Sequence, residues 1–433
     1  MTYSPLPIAY SLSIKKKDGR EKLRSKKGNP MNPNDAPSLL FVPSTEIETR
    51  IRCIQDQMVQ EGLDGILICQ NVDLFYYSGT MQPGFLYIPN EEEPVFLVKK
   101  NLERAMEESA LNNIVALSSP KEIPSSLAER GLPLPQVLGL EMDVLPANGY
   151  FQFKNIFKKS RILDASILIR KCRMIKSPWE IDNMHQAAQM MDRMIREVPG
   201  ILRPGMLEIE LAGLLEAFLR KEGHQGFIRS RGFNQEIFYG HLLSGPEGAK
   251  PSYIDSPSGG LGLGPAFAQG AGLKPIRERQ PISIDYVGCY NGYLVDQTRM
   301  LSIGKPPAPV EEAFQAVIRI QESIKLMAQP GMPCDQVYYR AFDEANRLGY
   351  KSEFMGAGLD QLSYIGHGLG LELDELPIVG KKFDWLLEAG MVIALEPKIL
   401  LPGYGLVGIE NTFYMTETGL KPITTAPDEF QIL

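Results

Sequence analysis

The chain has 433 residues, 44% of them hydrophobic and 22% charged, with a formal net charge of −7. That length calls for two domains, or one large domain with an addition, and the composition for a filled core. The acidic balance argues against nucleic acid as a main partner, because phosphate binding needs a basic face, and no apolar run approaches the ~20 residues of a membrane span.

Residues 1–44 read as a flexible or loosely docked extension. Lys15 to Lys27 is basic, and Pro30 to Pro43 is rich in Pro and Asn. The N-terminus has no apolar core followed by a small-residue cleavage site, so no signal peptide is expected. Cys53, Cys69, Cys172, Cys289 and Cys334 are scattered, odd in number and without a CxxC pair. They read as reduced thiols of a cytoplasmic protein.

A smaller α/β domain is predicted over 45–172. Ile51, Ile54 and Met58 have helical spacing within Glu46 to Glu61. Asp64 to Cys69, Gly84 to Ile88 and Pro94 to Val98 are short apolar runs of strand type. The second domain is predicted over 173–433. Ser177-Pro178-Trp179-Glu180 is a helix start, with a Ser cap, an early Pro and a Glu three positions after the cap. That helix is expected to reach Val198. Others are expected over Glu208 to Glu222, 309–328 and 333–348. Ser256 to Gly272 is rich in Gly but lacks GxGxxG spacing, so a loop near a cleft or a surface insertion is expected there, not a phosphate site.

Acidic residues recur in the strand-like segments of this second half. Asn291-Gly292 is the favoured two-residue hairpin turn. It sets Tyr290 against Tyr293, Val287 against Asp296 and Asp285 against Thr298. Asp285 and Asp296 then lie on one face, roughly 7 Å apart on the diagonal. A hairpin centred on Gly403 likewise sets Glu396 opposite Glu410. Like charges opposite in a sheet are destabilising, so two such pairs point to bound cations. His367, in Gly366-His367-Gly368-Leu369-Gly370, adds an imidazole. Four carboxylates and one imidazole suit Mn, Fe, Co or Zn better than Ca. Each acidic pair alone reads equally as a solvated hairpin face, and the His alone as a structural hydrogen bond.

At these residues the chain resembles the pita-bread superfamily of prolidase, aminopeptidase P, methionine aminopeptidase and creatinase. The resemblance runs through Asp285, Gly292-Tyr293, Asp296 and Thr298-Arg299, then His367 with Glu375 and Pro377. It continues through Gly390-Met391-Val392, Glu396-Pro397 and Gly408-Ile409-Glu410-Asn411-Thr412. Upstream, Asn71 to Gly79 resembles the N-terminal domain of creatinase and prolidase relatives. Arg173 to Ser177, with Glu180-Ile181, resembles the entry to the catalytic domain. The implied fold is α+β: a pita-bread catalytic domain preceded by a creatinase-type domain, in a homodimer. The implied cofactors are two divalent ions. Asp285 would chelate one, His367 and Glu396 the other, and Asp296 and Glu410 would bridge. An activated water between two ions is a nucleophile near neutral pH, with Glu396 as the implied proton shuttle.

The outer residues depart from this pattern. Ser252, Ser363 and Asp374 stand where the peptidases carry histidines, and Gly408 stands where Arg is usual. His241, Ser252, Tyr253, Asp374 and Lys398 remain as candidate contacts to substrate. Lys398 lies two residues after Glu396, on the same strand face, either anchoring a substrate carboxylate or solvated. The function expected is metal-dependent hydrolysis of a small peptide or amide, with Xaa-Pro dipeptides as the default. A lyase or non-peptide amidohydrolase on the same site, and a catalytically dead binding protein, are the rival readings.

Overall fold

The computed structural model describes residues 40–433 except Phe238, so the extension predicted over 1–44 lies almost entirely outside the described residues. The first helix, Ser44–Glu61, buries Ile47, Ile51, Ile54 and Met58 and ends at Gly62, whose φ of 68° turns the chain back. Val42, just ahead of it, is buried in the same core.

That helix covers a six-stranded sheet. Its order is Ile114–Ala116, Val95–Val98, Gly84–Pro89, Gly65–Ile68, Val137–Leu140 and Arg161–Asp164. Gly65–Ile68 lies within it, antiparallel to Gly84–Pro89 and parallel to Val137–Leu140. A strand buried on both faces reads as an unbroken apolar run, as Gly65–Ile68 does. The segment Asn71–Ser78 is a helix whose first turn is closed by the Gln70 side chain accepting from Val72 and Asp73 N–H.

The long helix Pro178–Ile201 begins at the predicted capping box. Glu180 N–H donates to Ser177 Oγ at 3.2 Å, and Ser177 N–H donates to Glu180 Oε2 at 2.9 Å. It continues past Val198 through Pro199. A Pro this close to the end forfeits one helical hydrogen bond without ending the helix.

Three sheets build the second half. The first is ordered Gln431–Ile432, Tyr293–Ser302, Ile282–Tyr290 and Gly240–Ser244. Its central hairpin has the register that the Asn291-Gly292 turn dictates: Tyr290 pairs Tyr293, Val287 pairs Asp296 and Asp285 pairs Thr298. The second sheet runs Glu375–Gly380, Tyr364–Gly368, Val392–Leu395, Asn411–Thr416 and Gly419–Pro422. A short ladder of Lys398–Leu401 with Gly405–Gly408 extends from it. An isolated bridge between Thr298 and Glu410 ties the first sheet to that extension. Helices Pro178–Ile201 and Glu208–Lys221 pack on the first sheet, and Ala308–Met327 and Cys334–Arg347 flank the strands that carry His367 and border Glu396 and Glu410.

Ion pairs join the two halves. Arg173 reaches Asp73 and Glu372, each at 2.7 Å, and also pairs with Glu375. Arg231 reaches Asp73 and Asp143, each at 2.6 Å. The Gly-rich segment is not a plain surface insertion. Gly259 N–H donates to Lys250 C=O, Gly270 N–H donates to Gly259 C=O, and Ser258 and Gln269 are buried. Its glycines permit this close stacking. A Cβ on Gly262 would lie 2.1 Å from Phe267 O.

Candidate metal centre

Asp285 and Asp296 come from adjacent strands of the first sheet. His367 sits on Tyr364–Gly368, between Ala394 and Ile378 of its two neighbouring strands. Leu395 pairs Asn411, and Lys398 pairs Gly408. One register therefore runs through both ladders and sets Glu396 opposite Glu410 between them. All five side chains line one cavity, which encloses about 470 Å³ with its open mouth included. Glu410 is 1% exposed, and Asp296, His367 and Glu396 are each 6% exposed.

Asp296, His367 and Glu410 present ligand atoms that all lie within 4.8 Å of one another. His367 Nδ1 lies 3.1 Å from Gly368 O. Nε2 is 3.9 Å from Glu410 Oε1, and against its burial the Asp374, Glu396 and Glu410 charges raise the ring's pKa. Burial drives the Asp296 carboxyl well above its usual range, and the Glu410 and Asp285 charges add to it. Burial raises Glu410 to about 8, although Lys398 opposes it. These are groups that need a positive charge close by to stay ionised. Two carboxylates and an imidazole at this spacing fit one divalent ion of the Mn, Fe, Co or Zn type.

Lys398 supplies a different positive charge. Its Nζ donates to Glu396 Oε2 at 2.7 Å, to Asp285 Oδ2 at 2.8 Å and to Glu410 Oε2 at 3.0 Å. The residue is 2% exposed. The reading of Lys398 as a solvated side chain is thereby corrected: the strand turns it into the acidic cluster, and burial is offset by three carboxylates. Those carboxylates hold its pKa well above the usual range, and it in turn holds Asp285 below its own, in each case against burial.

The sequence description Metallopeptidase family M24 matches residues 182–417, and Creatinase/Prolidase N-terminal domain matches residues 50–175. The chain belongs to metallopeptidase family M24. It is a divergent member. It is 26% identical over 388 residues to a Xaa-Pro dipeptidase of Pyrococcus furiosus, covering 88% of this chain and 99% of that one. It is also 26% identical to the uncharacterised peptidase YqhT of Bacillus subtilis, over 86% of this chain and 97% of the relative. A solved Xaa-Pro dipeptidase from Bacillus anthracis superposes with a TM-score of 0.76 at 27% identity, covering 89% of this chain and 100% of that structure.

Around the centre of this M24 chain the candidate substrate contacts fall in different places. His241, Asp374 and Lys398 line the cavity with the acidic residues, whereas Ser252 and Tyr253 do not. Ser252 Oγ instead donates to Gln269 Oε1 at 2.8 Å, and Gln269 Nε2 lies 2.6 Å from His241 Nε2. Ser252 thus reaches the cavity through Gln269 and His241. Tyr253 is 53% exposed, and Ser363 is exposed as well. Asp374 Oδ1 stands 3.5 Å from His367 Nδ1. His241 pairs with Asp285 across the first sheet, and burial lowers its pKa, which favours the neutral ring.

Sequence reasoning passed over the frame that holds these ligands. Thr298 Oγ1 donates to Glu410 Oε2 at 2.9 Å. Asp296 N–H donates to Thr412 Oγ1, which donates back to Asp296 C=O, both at 2.9 Å. Arg299, 1% exposed, donates to Glu410 C=O at 2.9 Å and to Asn411 Oδ1 at 2.7 Å. The signal for all four lay inside the motifs already noted. Asp255 and Gln269 were also missed, and only their place in the loop after Ser252 hinted at them.

Proposed function

We propose that this M24 chain is a metal-dependent hydrolase of small peptides, with Xaa-Pro dipeptides as the first substrates to test. The convergence of Asp296, His367 and Glu410 on one buried point carries this reading. Relatives named Xaa-Pro dipeptidase, which the chain matches across nearly their whole length, support the substrate class.

A bound divalent ion, Mn, Co, Zn or Fe, supplies Lewis-acid polarisation and an activated water. The chain's own groups do the rest. Glu396, at the wall beside the ligand set, accepts and returns the proton. Lys398 orients the Glu396 carboxylate through Nζ. His241, neutral and braced by Gln269, offers a polar wall to the substrate. The resemblance implies a homodimer and the cysteines a cytoplasmic protein. None of the described helices is long and apolar enough to cross a membrane.

A second reading, a non-peptide amidohydrolase or lyase on the same centre, draws on Ser252, Ser363 and Asp374 replacing histidines. Cleavage of Gly-Pro and Ala-Pro, assayed with and without Mn²⁺, Co²⁺ and Zn²⁺, separates the two. Metal-dependent turnover supports the peptidase. Bound metal without any dipeptide cleavage turns the search to non-peptide amides.

A further inference from the structure

The pair of ions that the resemblance implies meets an obstacle at Lys398. Its ammonium stands 2.7 to 3.0 Å from oxygens of Glu396, Asp285 and Glu410. A divalent ion binds carboxylate oxygens at about 2.0–2.2 Å. An ion sharing these three carboxylates would sit within a few ångströms of Nζ, cation against cation in a site with little water to screen them. Asp285 belongs to the ligand pattern, yet it is absent from the group of side chains whose ligand atoms converge, Asp296, His367 and Glu410.

We propose that Lys398 Nζ permanently fills one of the two cation places, so that the centre binds a single divalent ion through Asp296, His367 and Glu410. This rests on the metallohydrolase reading above.

The surrounding backbone is built for the lysine. Lys398 pairs with Gly408 in the short ladder, and Met355 N–H donates to Lys398 C=O at 2.8 Å, so its Cα is fixed. The stem passes directly over Gly408. A Cβ added there would stand 2.5 Å from Lys398 Cγ and 3.2 Å from its Cβ. Those are atoms near the root of the side chain, which cannot swing aside as a terminal group can. Gly408 thus leaves open the path by which the ammonium reaches the carboxylates. At 2% exposure the lysine has no solvent to retreat into.

One positive charge then replaces two at that place. Lys398 neutralises Asp285 and hydrogen-bonds Glu396, but it has no open coordination position and cannot polarise a carbonyl as a metal does. The single ion lies on the His367 side.

The test is a metal count by elemental analysis after loading the full chain with excess Mn²⁺ or Co²⁺ and desalting. The expected result is about one ion per chain for wild type and about two for Lys398→Gly. The Mn²⁺ spin-resonance spectrum should change from that of an isolated ion to that of a coupled pair. Two ions in wild type overturn the inference and leave the hydrolase reading intact. One ion in a folded Lys398→Gly variant also overturns it, because the lysine is then not what excludes the second. No ion in wild type, with no metal-dependent dipeptide cleavage, removes the metallohydrolase reading itself. Should Lys398→Gly not fold, the wild-type count alone still decides whether the lysine yields its place.

Discussion

Lys398 and Gly408 face each other across a two-stranded ladder, and the lysine's stem occupies the space a side chain at 408 would need. The two residues are therefore energetically coupled. Gly408→Ala should cost about 1–3 kcal/mol through overpacking. In Lys398→Gly/Gly408→Ala that penalty should largely vanish, giving a coupling of roughly 0.5–3 kcal/mol. Urea unfolding of the wild type, both single variants and the double variant measures it. Additive losses would mean that the stem moves aside freely.

Asp73 and Arg173 make a second relationship that spans the chain. Burial pushes the Asp73 carboxyl up, but Arg173 and Arg231 outweigh it and leave it at about 2. Glu375, facing Arg173 and Lys176 against its own burial, is likewise at about 2. Both folded values lie below the unfolded ones. The stabilisation is therefore complete above the ordinary carboxylate range and is lost as pH falls from about 4.5 to about 2. Each group contributes roughly 2–3 kcal/mol by linkage. Asp73→Asn should destabilise the protein at pH 7 by about 2–3 kcal/mol, because Arg173 and Arg231 each lose one buried partner while Arg173 keeps Glu372 and Glu375 and Arg231 keeps Asp143. Its stability should also fall less steeply in acid than that of wild type, and urea midpoints at a series of pH values read both effects.

Much of the site was legible from residue order because turn chemistry sets register. Asn291 and Gly292, with φ of 48° and 83°, close a two-residue turn, and the pairings of Asp285 and Asp296 within that hairpin follow. The Gly403 turn does the same for Glu396 and Glu410. Lys398 was legible in position but not in role. Strand alternation puts it on the Glu396 face, whereas its burial depends on Asp285, contributed by another sheet. His241 was harder still. It pairs with Asp285 through a strand separated from Ile282–Tyr290 by the whole Gly-rich segment, and no short-range pattern spans that loop. Ser252 shows the same limit, since its partner Gln269 lies across the folded-back glycines.

His224 stacks on Tyr239 with ring centroids 4.7 Å apart. Its Nδ1 accepts from Gly226 N–H at 2.9 Å, and Nε2 lies 3.0 Å from Val287 O, so the ring is the neutral Nε2–H tautomer. Burial lowers its pKa to about 4. The unfolded chain then takes up the proton first. Stability should be full above about pH 6.5, the ordinary His value, and decline as pH falls toward 4. A His224→Gln variant should be less stable than wild type at pH 7 and should lose less between pH 7 and pH 5. A wild-type stability that is flat across that interval, with carboxylates still ionised, would falsify the neutral-imidazole assignment.

Asp296 and Glu396 should separate binding from chemistry. Asp296→Ala removes one of three converging ligands, so bound metal and dipeptide cleavage should disappear together. Glu396→Gln leaves Asp296, His367 and Glu410 in place and should retain its ion. Its kcat should fall about 100-fold or more with little change in KM, the signature of a lost proton carrier. Lys398 would still donate to the amide oxygen, keeping the side chain oriented while its basicity is gone. Metal analysis beside steady-state kinetics on the same preparations tests both. If Asp296→Ala keeps its metal, the ligand assignment is wrong. If Glu396→Gln loses its metal along with its activity, Glu396 acts as a ligand, and the proton must travel through another group on the cavity wall, with His241 the first to examine.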